Sequence, residues 1–298
     1  MSRSSSARLN RAGLTSAPPR AARVWTPRRS AWARTVRANA DLRWVQTMAA
    51  GGGADVRRAG LSRAELDRII FTTSAGVHGG TLSEFALFGL FCGAKGLPGL
   101  TAFKAGRQWT GRWPMAQVSE WTVLVAGLGG IGQELAAKLT ALGARVIGVS
   151  LRGRPVPGVE RVYGPGDLVT AAAGADAIVS TLPGTEATNG LIGADVLAAL
   201  KPGATVVSVG RGTVFDEPAL IAALKSGQVG FAALDVFAVE PLPPESELWD
   251  LPNVVMTPHT AANSPHEQRR IAELFARNAT ALLDGRPLAN VVDTLHFY

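Results

Sequence analysis

The sequence predicts an α/β protein built around a doubly wound parallel sheet. Short apolar segments that fit strands buried on both faces alternate along the chain with stretches of helical periodicity. One such repeat, over residues 121–154, has the order strand, glycine-rich turn, helix and strand, which is the building unit of these sheets. A chain of 298 residues with 47% hydrophobic content is long enough for two domains with their own cores.

The first 40 residues differ in composition from the rest. They contain nine arginines and no acidic residue, so they contribute +9 to a net charge of +7 and the remainder has a charge of −2. Serine, alanine and proline are abundant and apolar periodicity is lacking, which predicts a disordered basic extension over residues 1–40. Because the rest of the chain is near neutral, nucleic acid is not expected as a partner.

Composition also indicates the compartment. The basic segment lacks a secretory apolar core, and we interpret it as a plain extension or a misread gene start rather than a targeting signal. The single Cys92 excludes an internal disulfide and fits a reducing compartment, and no apolar run reaches membrane-spanning length. These features predict a cytoplasmic protein with no membrane partner.

Two domains are predicted after the basic extension. A smaller substrate domain combines residues 41–96 with 264–298, and a dinucleotide-binding domain occupies 97–263. The elements predicted for the smaller domain are strands over 42–47 and 69–73, a turn over 74–80, a helix from Thr81 or Ser83 to about Ala94, and an amphipathic helix over 265–284. The larger domain is predicted to begin with a connector over 97–120 and to contain strands over 123–126, 146–149, 177–182, 205–209, 230–236 and 254–256, with helices after the glycine turn and over 194–200 and 217–226.

The glycine-rich turn has the pattern that binds a dinucleotide pyrophosphate. It comprises Gly127, Gly129, Gly130, Ile131 and Gly132. The first glycine of the pattern makes a tight turn, the second lets the backbone approach the phosphates, and the third lets helix and strand pack closely. Backbone N–H groups at the helix N-terminus bind the phosphates. A glycine turn alone is weak evidence, but the strand and helix that flank it favour a dinucleotide site.

The end of the next strand distinguishes between cofactors. An acidic residue there would hydrogen-bond the ribose hydroxyls of NAD and repel the 2′-phosphate of NADP. Ser150 occupies the position, and Arg152 and Arg154 follow it. Guanidinium groups bind phosphate in bidentate fashion. The sequence therefore favours NADP over NAD, with solvated surface charge as the alternative interpretation of the two arginines.

Three polar residues at the carboxyl ends of strands form the candidate catalytic set, because ligands of such sheets bind beyond that edge. Arg211 follows one strand, Glu240 lies in the loop after another, and His259 follows a third. A histidine with a carboxylate partner suits general acid catalysis, and an arginine binds a carboxylate and polarises a carbonyl. With a nicotinamide as hydride source, the set fits reduction of a 2-oxo acid to a 2-hydroxy acid. Taken singly, each residue also fits a turn cation, a loop charge or a strand-end hydrogen bonder.

Four ordered motifs give the chain a resemblance to a known family. They are the glycine turn, VVSVGRG over 206–212, LDVFAVEPLPPESELW from Leu234, and TPH over 257–259. They resemble the D-isomer-specific 2-hydroxyacid dehydrogenases, in particular the glyoxylate/hydroxypyruvate reductase branch. The resemblance implies a Rossmann dinucleotide-binding domain and a flavodoxin-like substrate domain. The latter is expected to be incomplete at its N-terminus, where the basic segment replaces the first strands and helices of the family.

The resemblance also implies a role for individual residues. Arg211 is implied to bind the substrate, His259 to donate the proton to its carbonyl oxygen, and Glu240 to orient His259. Cofactor contacts are implied for Leu182, for Pro183 on the adenine side, and for Asp235 near the nicotinamide carboxamide, and substrate contacts for the backbone N–H groups of Ala75, Gly76 and Val77, with His78 in the pocket wall. A homodimer formed through residues 85–121 is implied as well.

Other functions stay open at the level of sequence. One is a non-catalytic module that senses a dinucleotide or binds a protein, and another is an inactive, truncated member of the family. The complete set of arginine, glutamate and histidine favours the enzyme, since a sensor does not need it. No metal site is expected, because the histidines lack ligand spacing.

Overall fold

The chain divides into two compact units. A computed structural model describes residues 22–25, 31–107, 109, 111–295 and 297. One unit consists of Met1–Ser74 and Ile271–Tyr298, and the other of Ala75–Arg270. The predicted domain boundaries at 96 and 264 therefore differ from the observed division, which lies at 74 and 270.

The first unit contains a three-stranded parallel sheet. Its elements are β1 (Ala22–Trp25), α1 (Ala31–Arg37), β2 (Trp44–Thr47), α2 (Gly53–Arg58), α3 (Arg63–Arg68) and β3 (Ile70–Thr72). The strand order is β1-β2-β3, with Trp44 paired to both Ala22 and Ile70. Val45, Phe71 and Val292 are buried in its core.

The expected disorder of residues 1–40 is wrong for the part of that segment that the structure describes. Strand β1 and helix α1 lie within it, and Val36 of α1 is buried. The guanidinium of Arg37 donates to Glu65 at 2.8 Å and, with the backbone N–H of Ser62, lowers the pKa of Glu65 to about 2. The order comes from pairing with residues far along the chain, and local composition does not register such pairing. Residues 1–21 and 26–30 lie outside the described residues.

The second unit contains a seven-stranded parallel sheet. Its strands are β4 (Thr122–Ala126), β5 (Arg145–Val149), β6 (Arg161–Tyr163), β7 (Ala177–Ser180), β8 (Ala204–Ser208), β9 (Val229–Leu234) and β10 (Val254–Met256). Its helices are α4 (Gly79–Ala94), α5 (Leu97–Gly106), α6 (Gly130–Ala141), α7 (Leu168–Ala172), α8 (Ala194–Ala199) and α9 (Glu217–Ser226), and α10 (Glu267–Leu283) begins in this unit and continues in the first. The strand order is β10-β9-β8-β7-β4-β5-β6, which confirms the predicted fold class.

Alternate residues of the central strands enter two separate cores, so helices cover both faces of the sheet. Leu124 and Ile178 pack in one core with α7, α8 and α9, and Val125 and Val179 pack in the other with α4 and α6. Burial of each such side chain stabilises the fold by about 1.5–3 kcal/mol. This arrangement explains why the strands are continuous apolar runs without alternation.

Helix α4 belongs to the second unit, although the sequence assigned it to the smaller domain. Its glycines allow very close packing, since a Cβ added to Gly89 would lie 2.6 Å from that of Ala233, and one added to Gly93 would lie 2.0 Å from Thr205 Oγ1. The helix begins at Gly79 after His78, so the predicted cap at Thr81 or Ser83 is wrong. The predicted connector over 97–120 contains helix α5, which the sequence analysis missed.

Among the described residues, no single helix is both long and apolar enough to cross a membrane. Helices α4 and α5 meet that test only together, across a bend of 60°.

Candidate active site

The chain reverses its direction of travel across the sheet between β4 and β7. From β4 it proceeds to β5 and β6 on one side, and β7 then pairs with β4 on the other side. In open α/β sheets the ligand crevice lies beyond the carboxyl ends of the strands at this switch point. Gly127 follows β4 and Leu182 follows β7, so the predicted cofactor residues flank the switch point.

The glycine turn has the local geometry that the sequence predicts. Gly127 has a φ of +101°, which glycine adopts at no steric cost. A Cβ added to Gly132 would lie 1.9 Å from the carbonyl oxygen of Gly127, so helix α6 packs directly on the turn. Gly129 is exposed, and a Cβ added there would meet nothing within 4 Å. The turn is therefore closed on the protein side at Gly132 and open at Gly129, as a backbone that receives phosphate must be. Gly130, which starts the helix, is also exposed, and Ile131 is half-buried.

The arginines that bear on cofactor choice lie in a turn after β5. Ser150 Oγ accepts from the backbone N–H of Gly153 at 3.2 Å, and Ser150 N–H donates to Tyr163 O at 3.1 Å. These bonds fix the turn against strand β6. The side chains of Arg152 and Arg154 are both exposed at this edge.

Arg211 extends from the end of β8. The neighbouring Gly210 packs on the backbone of Leu182, because a Cβ at Gly210 would lie 2.3 Å from Leu182 O. Arg211 is exposed, and its Nη1 donates to Gly210 O at 2.7 Å. Leu182 is half-buried and Pro183 is exposed, so the end of β7 and the candidate catalytic arginine form one continuous surface.

His259 and Glu240 form a hydrogen-bonded pair. Glu240 Oε2 lies 2.7 Å from His259 Nδ1, and Glu240 Oε1 accepts from the backbone N–H of Phe237 at 3.0 Å. Because an ionised carboxylate only accepts, Nδ1 is the protonated nitrogen of the neutral ring and Nε2 is the other one. The two side chains are 42% and 35% exposed, which leaves the pair open to a small molecule.

The backbone of His259 is unusual. Its φ is +51°, in the left-handed region that few residues other than glycine adopt. Such a conformation costs about 1–3 kcal/mol and persists only where the surroundings enforce it. Here the His259 N–H donates to Asp235 O at 3.0 Å, so the strained residue is held from the end of β9.

Asp235 organises the loop that contains His259. It is 1% exposed, and its Oδ1 accepts from Thr257 Oγ1, Thr260 N and Ala261 N at 2.7, 2.8 and 2.9 Å. The family resemblance implies a cofactor contact for Asp235, and this structural role was not predicted. No local pattern marks this role, because the three donors lie in the segment after a different strand, β10.

Two further contacts, which were not predicted from the sequence, hold the candidate catalytic loops together. A Cβ at Gly212 would lie 1.9 Å from the carbonyl carbon of Phe237, so the segment after Arg211 packs on the loop before Glu240. Glu217, at the start of α9, accepts from the backbone N–H of Ala238 at 3.1 Å. Arg211, Glu240 and His259 thus follow the adjacent strands β8, β9 and β10 at one edge of the sheet, as predicted.

The turn over residues 75–77 lies beside the glycine turn. Gly76 has a φ of +85° and is exposed, and a Cβ at Gly130 would lie 3.8 Å from Gly76 N. Ala75 is half-buried, and Val77 is buried. His78 is buried as well, with Nε2 at 2.9 Å from Glu267 Oε1, so its ring is engaged with a carboxylate and does not line an open pocket wall. Within the described part of the chain, no three His, Cys, Asp or Glu side chains are grouped so that they could hold a metal ion.

Comparison with known proteins identifies the family. The model for "D-isomer specific 2-hydroxyacid dehydrogenase, NAD binding domain" matches residues 90–261, which is more than half of the chain. The chain belongs to the D-isomer-specific 2-hydroxyacid dehydrogenases. The resemblance drawn from the four motifs is confirmed, and the family is one of oxidoreductases.

Individual dehydrogenases of this family are similar in sequence and in structure. Glyoxylate/hydroxypyruvate reductase B of Yersinia enterocolitica is 38% identical over 183 residues, which are 61% of this chain and 56% of that reductase. The chain therefore spans little more than half the length of this curated relative. A D-isomer specific 2-hydroxyacid dehydrogenase from Xanthobacter autotrophicus Py2, in complex with NADPH and MES, has a TM-score of 0.83 and 33% identity over 97% of this chain and 90% of that one.

A second solved structure belongs to the glyoxylate/hydroxypyruvate reductase branch. It is the NADPH-dependent glyoxylate/hydroxypyruvate reductase from Sinorhizobium meliloti, in complex with NADP and sulfate. Its TM-score is 0.82 and its identity 28%, over 93% of this chain and 86% of that one.

Proposed function

We propose that this chain is an NADPH-dependent reductase that converts small 2-oxo acids of the glyoxylate and hydroxypyruvate type to D-2-hydroxy acids. The observation that supports it best is the His259–Glu240 pair, bonded at 2.7 Å and placed at the same strand-end edge as Arg211 and the open glycine turn. A proton donor, a carboxylate-binding cation and a dinucleotide turn are the three components that the reaction needs.

The residues divide the reaction between them. When bound, the nicotinamide cofactor supplies a hydride to the carbonyl carbon of the substrate. Arg211 binds the substrate carboxylate and polarises its carbonyl with charge-assisted hydrogen bonds. The doubly protonated ring of His259 donates its Nε2 proton to the carbonyl oxygen and becomes neutral, while Glu240 stabilises the charged ring and fixes its orientation through Nδ1. One hydride and one proton thus add across the carbonyl and give the hydroxy acid.

Other residues hold the two ligands. The N-terminus of α6 and the open side of the glycine turn fit a pyrophosphate, and Leu182 and Pro183 fit the adenine side of the cofactor. Asp235 is proposed to lie near the carboxamide. The backbone N–H groups of Ala75, Gly76 and Val77 are proposed to bind the substrate carboxylate, which their position beside the glycine turn supports.

The direct experiment is oxidation of NADPH by the purified full chain with glyoxylate or hydroxypyruvate, with NADH in parallel. We expect turnover with both acids, faster with NADPH, and a product of D configuration. Measurable NADPH binding without turnover on either acid would instead favour a module that binds the dinucleotide and does not catalyse.

Preference for NADPH is proposed to depend on Arg152 and Arg154. They are exposed at the end of β5, no acidic residue stands at Ser150, and the relatives from Xanthobacter and Sinorhizobium were solved with NADPH and NADP. Replacing both arginines by serine should raise KM for NADPH by about tenfold or more, since a charge-assisted hydrogen bond contributes about 1.5–3 kcal/mol. KM for NADH should change little.

The matched control is the double variant Arg57→Ser/Arg58→Ser, which removes two exposed arginines from α2 in the first unit. It should leave both KM values unchanged. An equal rise in KM for NADPH and NADH in the Arg152/Arg154 variant would show that these side chains do not bind the 2′-phosphate.

The active form is proposed to be a cytoplasmic homodimer that uses residues 85–121. This segment exposes several large apolar side chains, which are Phe88, Phe91, Trp109, Trp113 and Met115. Exposed apolar side chains of this size are typical of interaction surfaces, and a second copy of the chain would cover them. Analytical ultracentrifugation of the full chain decides the point, and a monomer at micromolar concentration would contradict it.

A further inference from the structure

A buried histidine that the proposed mechanism does not use lies at the start of α4. The His78 side chain is 8% exposed, and its Nε2 is 2.9 Å from Oε1 of Glu267, whose side chain is 29% exposed. An ionised carboxylate accepts only, so Nε2 of His78 carries the proton and donates to it. Burial of a polar side chain is costly unless it is hydrogen-bonded, and Glu267 provides that hydrogen bond for His78.

The pair connects two segments that belong to the candidate active site. Residues 75–77, the proposed carboxylate-binding turn, come immediately before His78. The segment 260–267 comes immediately after His259 and ends at Glu267. Thr81 Oγ1 adds a second connection, because it lies 3.1 Å from Ala262 O. The first turn of α4 is therefore joined to the segment behind the catalytic histidine at two points.

The segment 260–267 is also held at its start, next to His259. Asp235 binds the backbone N–H groups of Thr260 and Ala261, so the segment has fixed contacts at its start, at Ala262 and at Glu267. On the opposite side, Gly76 lies against the glycine turn near Gly130. His78 therefore connects the turn over 75–77 to the segment that follows His259.

In sequence, His78 and Glu267 also lie close to the two places where the chain passes from one compact unit to the other. Those places are at 74/75 and at 270/271. His78 follows the first closely in sequence, and Glu267 precedes the second.

We infer that His78 and Glu267 are positioning residues for the reduction. Their hydrogen bond sets the turn over 75–77 in register with His259, so that a substrate whose carboxylate is bound by the turn presents its carbonyl oxygen to the proton donor. This inference rests on the proposed function. It assigns no chemical step to His78, since its Nε2 is bonded to Glu267.

The first test is a comparison of His78→Leu with His78→Gln in the full chain. Leucine fills the volume without a donor, and the glutamine amide can still donate to Glu267. His78→Leu should raise KM for the 2-oxo acid by about tenfold, because the displaced turn would lose about one charge-assisted hydrogen bond to the substrate carboxylate. Kd for NADPH should stay unchanged. His78→Gln should recover most of that loss.

A double-variant cycle separates a shared role from two independent ones. Glu267→Leu should match the effect of His78→Leu, and the double variant should be no worse than either alone. Multiplicative effects in the double variant would overturn the inference. The control is Glu160→Gln, which breaks the exposed pair of Arg145 and Glu160 elsewhere in the second unit and should leave KM unchanged.

A measurement without turnover distinguishes failure of this inference from failure of the proposed function. Hydrogen exchange should quicken in residues 75–82 when Glu267 is replaced, and in residues 260–267 when His78 is replaced, with no change in Glu160→Gln. If the wild type reduces no 2-oxo acid, the proposed function fails, and the exchange data still decide whether the two segments are linked. Wild-type exchange and wild-type KM in both single variants would refute the positioning role.

Discussion

Replacing His259 by asparagine is expected to lower kcat for reduction of glyoxylate or hydroxypyruvate by about 10²- to 10⁴-fold, the usual contribution of a positioned general acid. Asparagine is the suitable replacement because His259 has a φ of +51° and asparagine is among the residues that tolerate this conformation. The variant therefore removes the proton donor without adding backbone strain. Steady-state kinetics and a NADPH titration measure the two quantities that matter.

The affinity for NADPH should stay the same in His259→Asn, because the glycine turn proposed to bind the cofactor phosphates follows β4, and β9, β8 and β7 lie between β4 and the strand β10 that precedes His259. The matched control is His266→Asn, since His266 is exposed and lies seven positions further on, in the same connection between β10 and α10. It should keep wild-type kcat. A kcat for His259→Asn within a few-fold of wild type would contradict the assignment of His259 as the proton donor.

The parts of the candidate site that depend on local pattern could be predicted from the sequence. The glycine turn was found because the short strand, the turn and the helix are contiguous and each glycine has a steric reason for its position. Arg211, Glu240 and His259 were found because strand ends of a parallel sheet meet at one edge, so knowledge of the strands alone places them together.

The contacts that the sequence did not predict are between residues far apart in the chain. Asp235 looks like any acidic residue after a strand until the three donors at Thr257, Thr260 and Ala261 are seen around it. The pairing of His78 with Glu267 has no local signal either, because the two residues are 189 positions apart. Each lies at the start of a helix that has no other unusual feature. Strand β1 and helix α1 were not predicted for the same reason, since their order depends on contacts with β2 and α3.

The same substitution at two glycines of the cofactor turn should weaken NADPH binding in both cases but lower the free energy of unfolding in only one. Gly132→Ala would place a methyl group 1.9 Å from the carbonyl oxygen of Gly127, and neither backbone can yield without moving α6 off the turn. Overpacking of this kind destabilises a fold by about 1–3 kcal/mol or more. We expect a lower free energy of unfolding in denaturant titrations and, with it, weaker NADPH binding.

Gly129→Ala should weaken cofactor binding without changing the stability of the fold. Its φ of −76° and ψ of −164° suit alanine, and the added methyl group meets no protein atom within 4 Å, so the free energy of unfolding should equal that of wild type. The methyl group would instead occupy the space through which a pyrophosphate approaches the backbone, and Kd for NADPH should rise by at least about tenfold, a loss of about 1.4 kcal/mol. Denaturant titration of both variants measures the difference in stability, and fluorescence titration with NADPH measures the loss of affinity. Unchanged NADPH affinity in Gly129→Ala would place the cofactor phosphates elsewhere, and because the variant folds normally, that result could not be explained by loss of structure.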